Sequence, residues 1–575
     1  METKKLPVRP HLEQYKKQAK ELVKTWKAGD AEAVRRIQKF HPRFGGVVVD
    51  DLDGRAVDVL GGRKSGSKTA LRGSGQAALQ KRRGGLLRVR LADAQWVIAR
   101  EHGFESWAKF GKHIEAVTRE RTVASLSDPV AGFIAAACVP RDSSHGSGTL
   151  ETAEAILAAH PEIAKSGIYT AAILGDDAAV RRFLKRDERS ATAKGGPYGW
   201  DALTHLCFSR YLRLDRGRSA GFVRAANALL NAGASANTGF WEMDHQPKPE
   251  WESVLYGTAG VAHHAQMTRL LLERGAEPND GETPYHAPES YDNSALKVLV
   301  ESGKMSEESL ATMLLRKADM HDVEGMKYLL EHGADPNRMT QWQHTALQHA
   351  LRRDNGIEKI EVLLDHEADP RLKNSLDGKT GVSMAARRGR SDVLEAFERR
   401  GIPLEFEGVE RLIAACARND GKAVRAFAAS EPGLVRELLT EGGTLLVEFA
   451  GVGNRDGVKQ LLDLGVNVAA LHEKGDAYFD IAPGSTALHA AAWRAWPSTV
   501  ELLVARGAPV DAQDGKGRTP LALAVRACVD SYWTNRRTPE SVERLLRAGA
   551  AASRAAYPSG YAEVDELLQQ YGKGG

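Results

Sequence analysis

A stop signal recurs through this chain of 575 residues. Apolar residues, a short polar step and then Gly-Ala or a near variant appear as "LLNAGASAN", "LLERGAEPN", "LVESGKMS", "LLEHGADPN", "LLDHEADP", "FERRGIP", "LLDLGVNV" and "LLRAGAAAS". The markers are Gly233, Gly275, Gly303, Gly333, Glu367, Gly401, Gly465, Gly507 and Gly549, at intervals of 42, 28, 30, 34, 34, 64, 42 and 42 residues. The interval of 64 holds two units, with a faded copy around Gly433. A recurrence of this length means one supersecondary unit copied and stacked, because a single unit cannot bury its own apolar face. The length prior of several globular domains therefore does not apply, and one continuous elongated body is expected.

The unit reads as two helices and a connector. "GSTALHAAAWRA" (Gly484 to Ala495) opens a helix, "TVELLVARGAPVDAQDGKG" supplies a second helix, a glycine stop and a turn, and "RTPLALAV" restarts the pattern at Arg518. Best preserved are Thr486-Ala487-Leu488-His489, Thr345-Ala346-Leu347-Gln348 and Thr519-Pro520-Leu521-Ala522. Thr offers an oxygen to the unsatisfied amides of the first turn. Pro is tolerated at the first helical position, and Leu enters the core. Gly275, Gly333 and Gly507 suit the left-handed residue that ends a helix, and Glu277-Pro278-Asn279 and Asp335-Pro336-Asn337 are turn chemistry. These residues and their spacing resemble the ankyrin repeat. The resemblance implies an all-α fold, an α-solenoid of about 11–12 ankyrin repeats with short β-turn fingers, over residues 128–550. Two departures mark irregular copies: His survives only at His489 among the three signatures, and Glu367 replaces a glycine.

Ahead of the repeats, "LEQYKKQAKELVKTWKA" carries Leu12, Tyr15, Ala19, Leu22, Val23 and Trp26 on one stripe. "AEAVRRIQKF" completes a helical pair within residues 1–44, and a second pair follows within 91–120, with Trp107, Phe110, Ile114 and Val117 on its last helix. The two segments resemble the helical leader found ahead of many bacterial ankyrin-repeat proteins, which implies a cap for the stack. Between them, residues 45–90 hold ten Lys or Arg against four Asp, a surplus of six, in a Gly- and Ser-rich stretch expected to be a flexible excursion. A capping helix and tail are expected over 551–575.

Net charge is only +4, too mild to argue for nucleic acid. Cys138, Cys207, Cys416 and Cys528 are far apart in apolar contexts and read as core residues of a reducing compartment. Neither a signal peptide nor an apolar run of spanning length is visible. A cytoplasmic monomer without membrane contact is the expectation.

Chemistry is not expected. "GGRKSGSKT" misses the phosphate-loop pattern, because Ser67 separates Gly66 from Lys68. His263, His264, His321, His332, His344 and His349 join no carboxylate or thiol at a metal-ligand spacing. No catalytic residue, cofactor or metal site is expected.

The longest departures from the repeat carry aromatic rings. Insertions in a solenoid emerge on one face and often bind. One finger spans Thr238 to Gly257 and another Ala469 to Ser485, and a third excursion lies between the helices of the last repeat. The candidate partner-binding residues are Trp241, Trp251, Tyr256, Trp342, Tyr478, Phe479, Trp493, Trp496, Tyr532 and Trp533. The expected function is non-catalytic protein–protein interaction through the concave face and long fingers. The alternative is a nucleic-acid-associated regulator using Lys64, Lys68, Arg72, Lys81, Arg82 and Arg83 of the basic insert.

Overall fold

A computed structural model describes residues 3–7, 10–42, 44, 89, 91–141, 144–245, 247–531 and 534–572. Nearly all of the basic insert, including Lys64, Lys68, Arg72, Lys81, Arg82 and Arg83, lies outside them, as do Tyr532 and Trp533. The chain divides into two compact units, one of Met1–Thr118, Arg387–Arg390 and Glu407–Gly575, the other of Arg119–Ala386 and Ser391–Phe406.

The N-terminal helices build one core from both leader segments. Helices α1 (Leu12–Lys27), α2 (Ala31–Phe40), α3 (Leu91–Glu101) and α4 (Trp107–Ala124) surround Tyr15, Leu22, Ile37, Val97, Ile98 and Phe110. The Asp30 carboxylate accepts the amides of Glu32 and Ala33 and so starts α2. Tyr15, Ala19, Leu22 and Trp26 are buried along α1, as the stripe requires. One charge is taken inside: the Glu101 carboxylate accepts from Lys4 at 2.8 Å and from Arg36 at 2.7 and 2.9 Å.

From residue 129 onward, short helices alternate in pairs. Among the described residues we count eight pairs from Pro129–Ala137 to Ser391–Arg399 and four from Val409–Ala417 to Glu540–Arg547. The helix Ala562–Gly572 follows. All nine stop markers, from Gly233 to Gly549, have a positive φ. At Gly333 (φ +93°) an added Cβ would meet nothing within 4 Å, so backbone conformation alone selects glycine there. Glu367 adopts φ +65° without that freedom, at a cost of about 1–2 kcal/mol. It still makes the same helix stop: its amide donates to Leu364 O and that of Ala368 to Leu363 O, as Gly333 and Ala334 do to Leu330 and Leu329.

The expected faded marker at Gly433 is corrected. Two units do occupy the long interval, but Gly433 lies inside an additional helix, Pro432–Thr440, that begins directly after Gly421–Ser430. Pro432 sits in its first turn, where its missing N–H costs nothing.

The signatures also carry joints between repeats. His489 Nδ1 faces Thr486 Oγ1 at 2.8 Å, and its Nε2 lies 3.1 Å from Arg518 O in the next repeat. Gln348 performs the same double duty, accepting from Thr345 N at 3.0 Å and donating to Leu372 O at 2.7 Å. The lost signature histidine is thus replaced in function at that copy. Connector asparagines form a second joint. Asn337 Nδ2 donates to Glu367 O at 2.8 Å while its Oδ1 accepts from Asp369 N at 2.7 Å. Asn237 does the same with Gly275 O and Glu277 N, and Asn279 with Lys304 O and Ser306 N.

Candidate functional site

Both fingers begin as short antiparallel hairpins. In the first, β1 (Gly239–Glu242) pairs with β2 (Glu250–Ser253) in the register Phe240↔Glu252, Trp241↔Trp251, Glu242↔Glu250. Side chains alternate across a strand, so Trp241 and Trp251 share one face while Phe240, Glu242, Glu250 and Glu252 share the other. The two tryptophans meet edge to face at 5.2 Å, and Trp241 is 51% exposed. Phe240 is buried, stacked 4.4 Å from Trp200. Glu252 follows it inward.

Under this hairpin lies a cleft of about 1090 Å³. One wall is the hairpin itself, another the segment around His145, and a third the helix Glu282–His286 with the following turn that carries Glu289. Trp342 closes one side, with its ring 5.5 Å from Tyr285, and the Arg316 guanidinium lies 4.1 Å from the Tyr285 ring. The cleft is chemically divided. Arg213, Arg216 and Lys248 reach it, yet Glu242, Glu250, Glu252, Glu282, Glu289 and Asp292 outnumber them.

Burial makes these charges interact. His286 is held between two carboxylates, with Nε2 3.0 Å from Glu282 and Nδ1 2.9 Å from Glu289. Burial by itself would depress its pKa, but both acceptors stabilise the imidazolium and push it up to about 9. Glu289 is also paired with Arg316. Glu252 shows the opposite balance: burial, then repulsion from Glu282 and Glu242, push its carboxyl up to about 9. Beside it, burial pushes the His145 imidazole down. His145 Nδ1 lies 2.9 Å from Tyr256 Oη and 3.8 Å from Glu252 Oε2. Among the described residues, His145, Glu242 and Glu252 form a group whose metal-competent atoms all lie within 4.8 Å of one another. The sequence offered no spacing for this set, because the histidine belongs to the segment between Pro129–Ala137 and Glu151–Ala159 and the carboxylates to the finger.

The histidines read from sequence have other places. His263 (φ +47°) and His321 (φ +53°) take the left-handed turn between the two helices of a repeat. His349 Nε2 is 2.7 Å from Asp319, and His344 Nδ1 is 2.6 Å from Trp342 O. All four cysteines are free and buried.

The second finger is tied down. Its strands Leu471–His472 and Ser485–Thr486 pair, and beyond them Phe479 is 5% exposed, flanked by Arg494 at 4.2 Å and Arg388 at 5.7 Å. Trp493 Nε1 donates to Phe479 O at 2.7 Å. Asp480 accepts from Lys516 and Arg526 at 2.5 Å and from Arg518 at 2.7 Å. Although burial opposes it, those cations hold the Asp480 carboxyl well below the usual range. Of the proposed anchors, then, Tyr256, Phe479 and Trp493 are packing residues in the free chain. Trp251, Trp342 and Trp496 are half-buried, the last with Nε1 donating to Gly451 O. Trp241 and Tyr478 are exposed.

Family models match two segments of the chain. A family model of ankyrin repeats in three copies matches residues 314–402, and a single ankyrin-repeat model matches 483–515. The chain carries ankyrin repeats. Serine/threonine-protein kinase 12 of Arabidopsis thaliana is 38% identical over 85 residues, 15% of this chain. The chain spans only 17% of the length of that curated relative. The crystal structure of the human ASB11 ankyrin repeat domain aligns at 23% identity with a TM-score of 0.31, covering 41% of this chain and 97% of that one. Ankyrin repeats are an interaction module, and no helix among the described residues is long and apolar enough to cross a membrane.

Proposed function

We propose that the chain is a non-catalytic scaffold that binds another protein in the cleft beneath the first finger. The observation that supports this reading is a cleft of about 1090 Å³ lined by the rings of Tyr285 and Trp342 and by several carboxylates. Aromatic anchors give contact area at small entropic cost. Of the lining carboxylates, Glu250 and Asp292 favour a partner segment bearing Lys or Arg, whose field complements theirs. The second finger does not serve as a contact in this scheme, because its central ring is already covered.

The test is selection of peptides from a random display library on the full chain. Recovered peptides should be rich in Lys, Arg and large apolar residues, and should bind a Trp342→Ala chain at least about 10-fold more weakly. Equal affinity for both chains, or sequences without a basic bias, would defeat the assignment.

A further inference from the structure

The carboxylates under the finger include an arrangement that neither packing nor partner binding explains. His145 and Glu252 are 6% and 1% exposed, and Glu252 Oε2 has no hydrogen-bond partner. It lies 3.8 Å from His145 Nδ1, beyond hydrogen-bonding reach. Glu242, two positions from Phe240 on the same face of β1, adds a second carboxylate. Without a cation Glu252 carries a proton, and a divalent cation displaces that proton when the carboxylate becomes a ligand.

We propose that His145, Glu242 and Glu252 bind a divalent transition-metal cation of the zinc class, which ties the first finger to the segment preceding the helix Glu151–Ala159. The donor set decides the ion class. Imidazole favours zinc and its transition-metal neighbours, whereas calcium and magnesium prefer oxygen alone. Bonds to such an ion are about 2.0–2.2 Å, which sets neighbouring ligand atoms roughly 3.4 Å apart in a tetrahedron. The candidate ligand atoms, all within 4.8 Å of one another, close to that with modest movement of the half-buried Glu242. Tyr256 Oη, 2.9 Å from His145 Nδ1, orients the ring and leaves Nε2, which has no hydrogen-bond partner, as the ligand nitrogen. A two-stranded hairpin is marginal by itself, so a cation joining it to a segment distant in sequence would stiffen the cleft wall. This site does not depend on the protein-binding reading.

The chelator-treated full chain is titrated with zinc chloride alone by calorimetry, and with cobalt(II) by visible absorption. One equivalent should bind more tightly than about 10 µM, with cobalt bands typical of nitrogen and oxygen ligands. His145→Ala and Glu242→Gln should each weaken binding by about 10-fold or more, while His332→Ala, at an exposed helix end, should not. Hydrogen exchange in residues 239–253 should slow on adding zinc. Absence of saturable binding by the unaltered chain overturns the proposal, as does binding that survives Glu242→Gln. That substitution alters a partly exposed side chain, so it decides the matter even if His145→Ala fails to fold.

Discussion

The two fingers look alike in sequence and differ in what lies beneath them. Each is a long connector with aromatic residues, and each starts as an antiparallel hairpin. The second covers fixed charges: Asp480 collects Lys516, Arg518 and Arg526, and Phe479 fills the space between two guanidinium groups. The first covers a cleft in which His286 and Glu252 both titrate near pH 9, and it leaves Trp241 in solvent. Insertion length therefore does not decide whether a loop projects or folds back; the charge partners waiting on the repeat do.

That contrast can be broken most directly at Phe479. Phe479→Ala should lower stability by about 3 kcal/mol, measured by urea unfolding followed by fluorescence, and should open residues 473–484 to protease. An unchanged midpoint would mean that the second finger is loosely held after all. Asp480→Ala should cost about 2 kcal/mol, since three cations lose their acceptor. Its effect should persist from pH 6 to 9, because Asp, Lys and Arg do not change charge in that range.

The first finger should behave otherwise. The pKa of His286 is raised from 6.5 to about 9 in the folded chain, so its stabilisation is complete below pH 6.5 and is lost as pH rises through 9. Glu252, raised from 4.5 to about 9, acts in the same direction, because the folded state favours its protonated form. Hydrogen exchange in residues 239–256 should therefore accelerate between pH 6.5 and 9, after correction for the intrinsic rate, while residues 471–486 stay constant. His286→Gln should flatten part of that dependence. If both fingers respond equally to pH, the distinction between fixed and titrating supports fails. The smallest effect is expected at Trp241→Ala, within about 0.5 kcal/mol of the parent in stability, because its exposed ring lies on the hairpin face away from the cleft. A large loss of stability there would make Trp241 a structural residue.

Much of the fold was legible because its signals are local. The left-handed stops need glycine for a backbone reason, and all nine markers show the required φ, including Glu367, where the neighbouring leucines had to locate the stop. The α1 stripe from Tyr15 to Trp26 follows helical periodicity and is buried accordingly. The site was less legible. Aromatic content pointed to both fingers, but burial of Phe479 depends on Arg388 and Arg494, which lie outside that finger. His145 gave no local sign of its role, since its carboxylate neighbours arrive from another helix pair. Gln348 misled in the opposite sense: it departs from the signature in letters while supplying the same donor and acceptor as His489.

The connector asparagines have an evolutionary consequence. Asn237, Asn279 and Asn337 each grip main-chain atoms of the following unit and ignore its side chains. A joint addressed to the backbone accepts any neighbour that ends its helix in the same way, so whole units can be duplicated, deleted or exchanged without redesigning the seam. Surface identity is then free to drift from copy to copy while the coupling between copies is inherited intact.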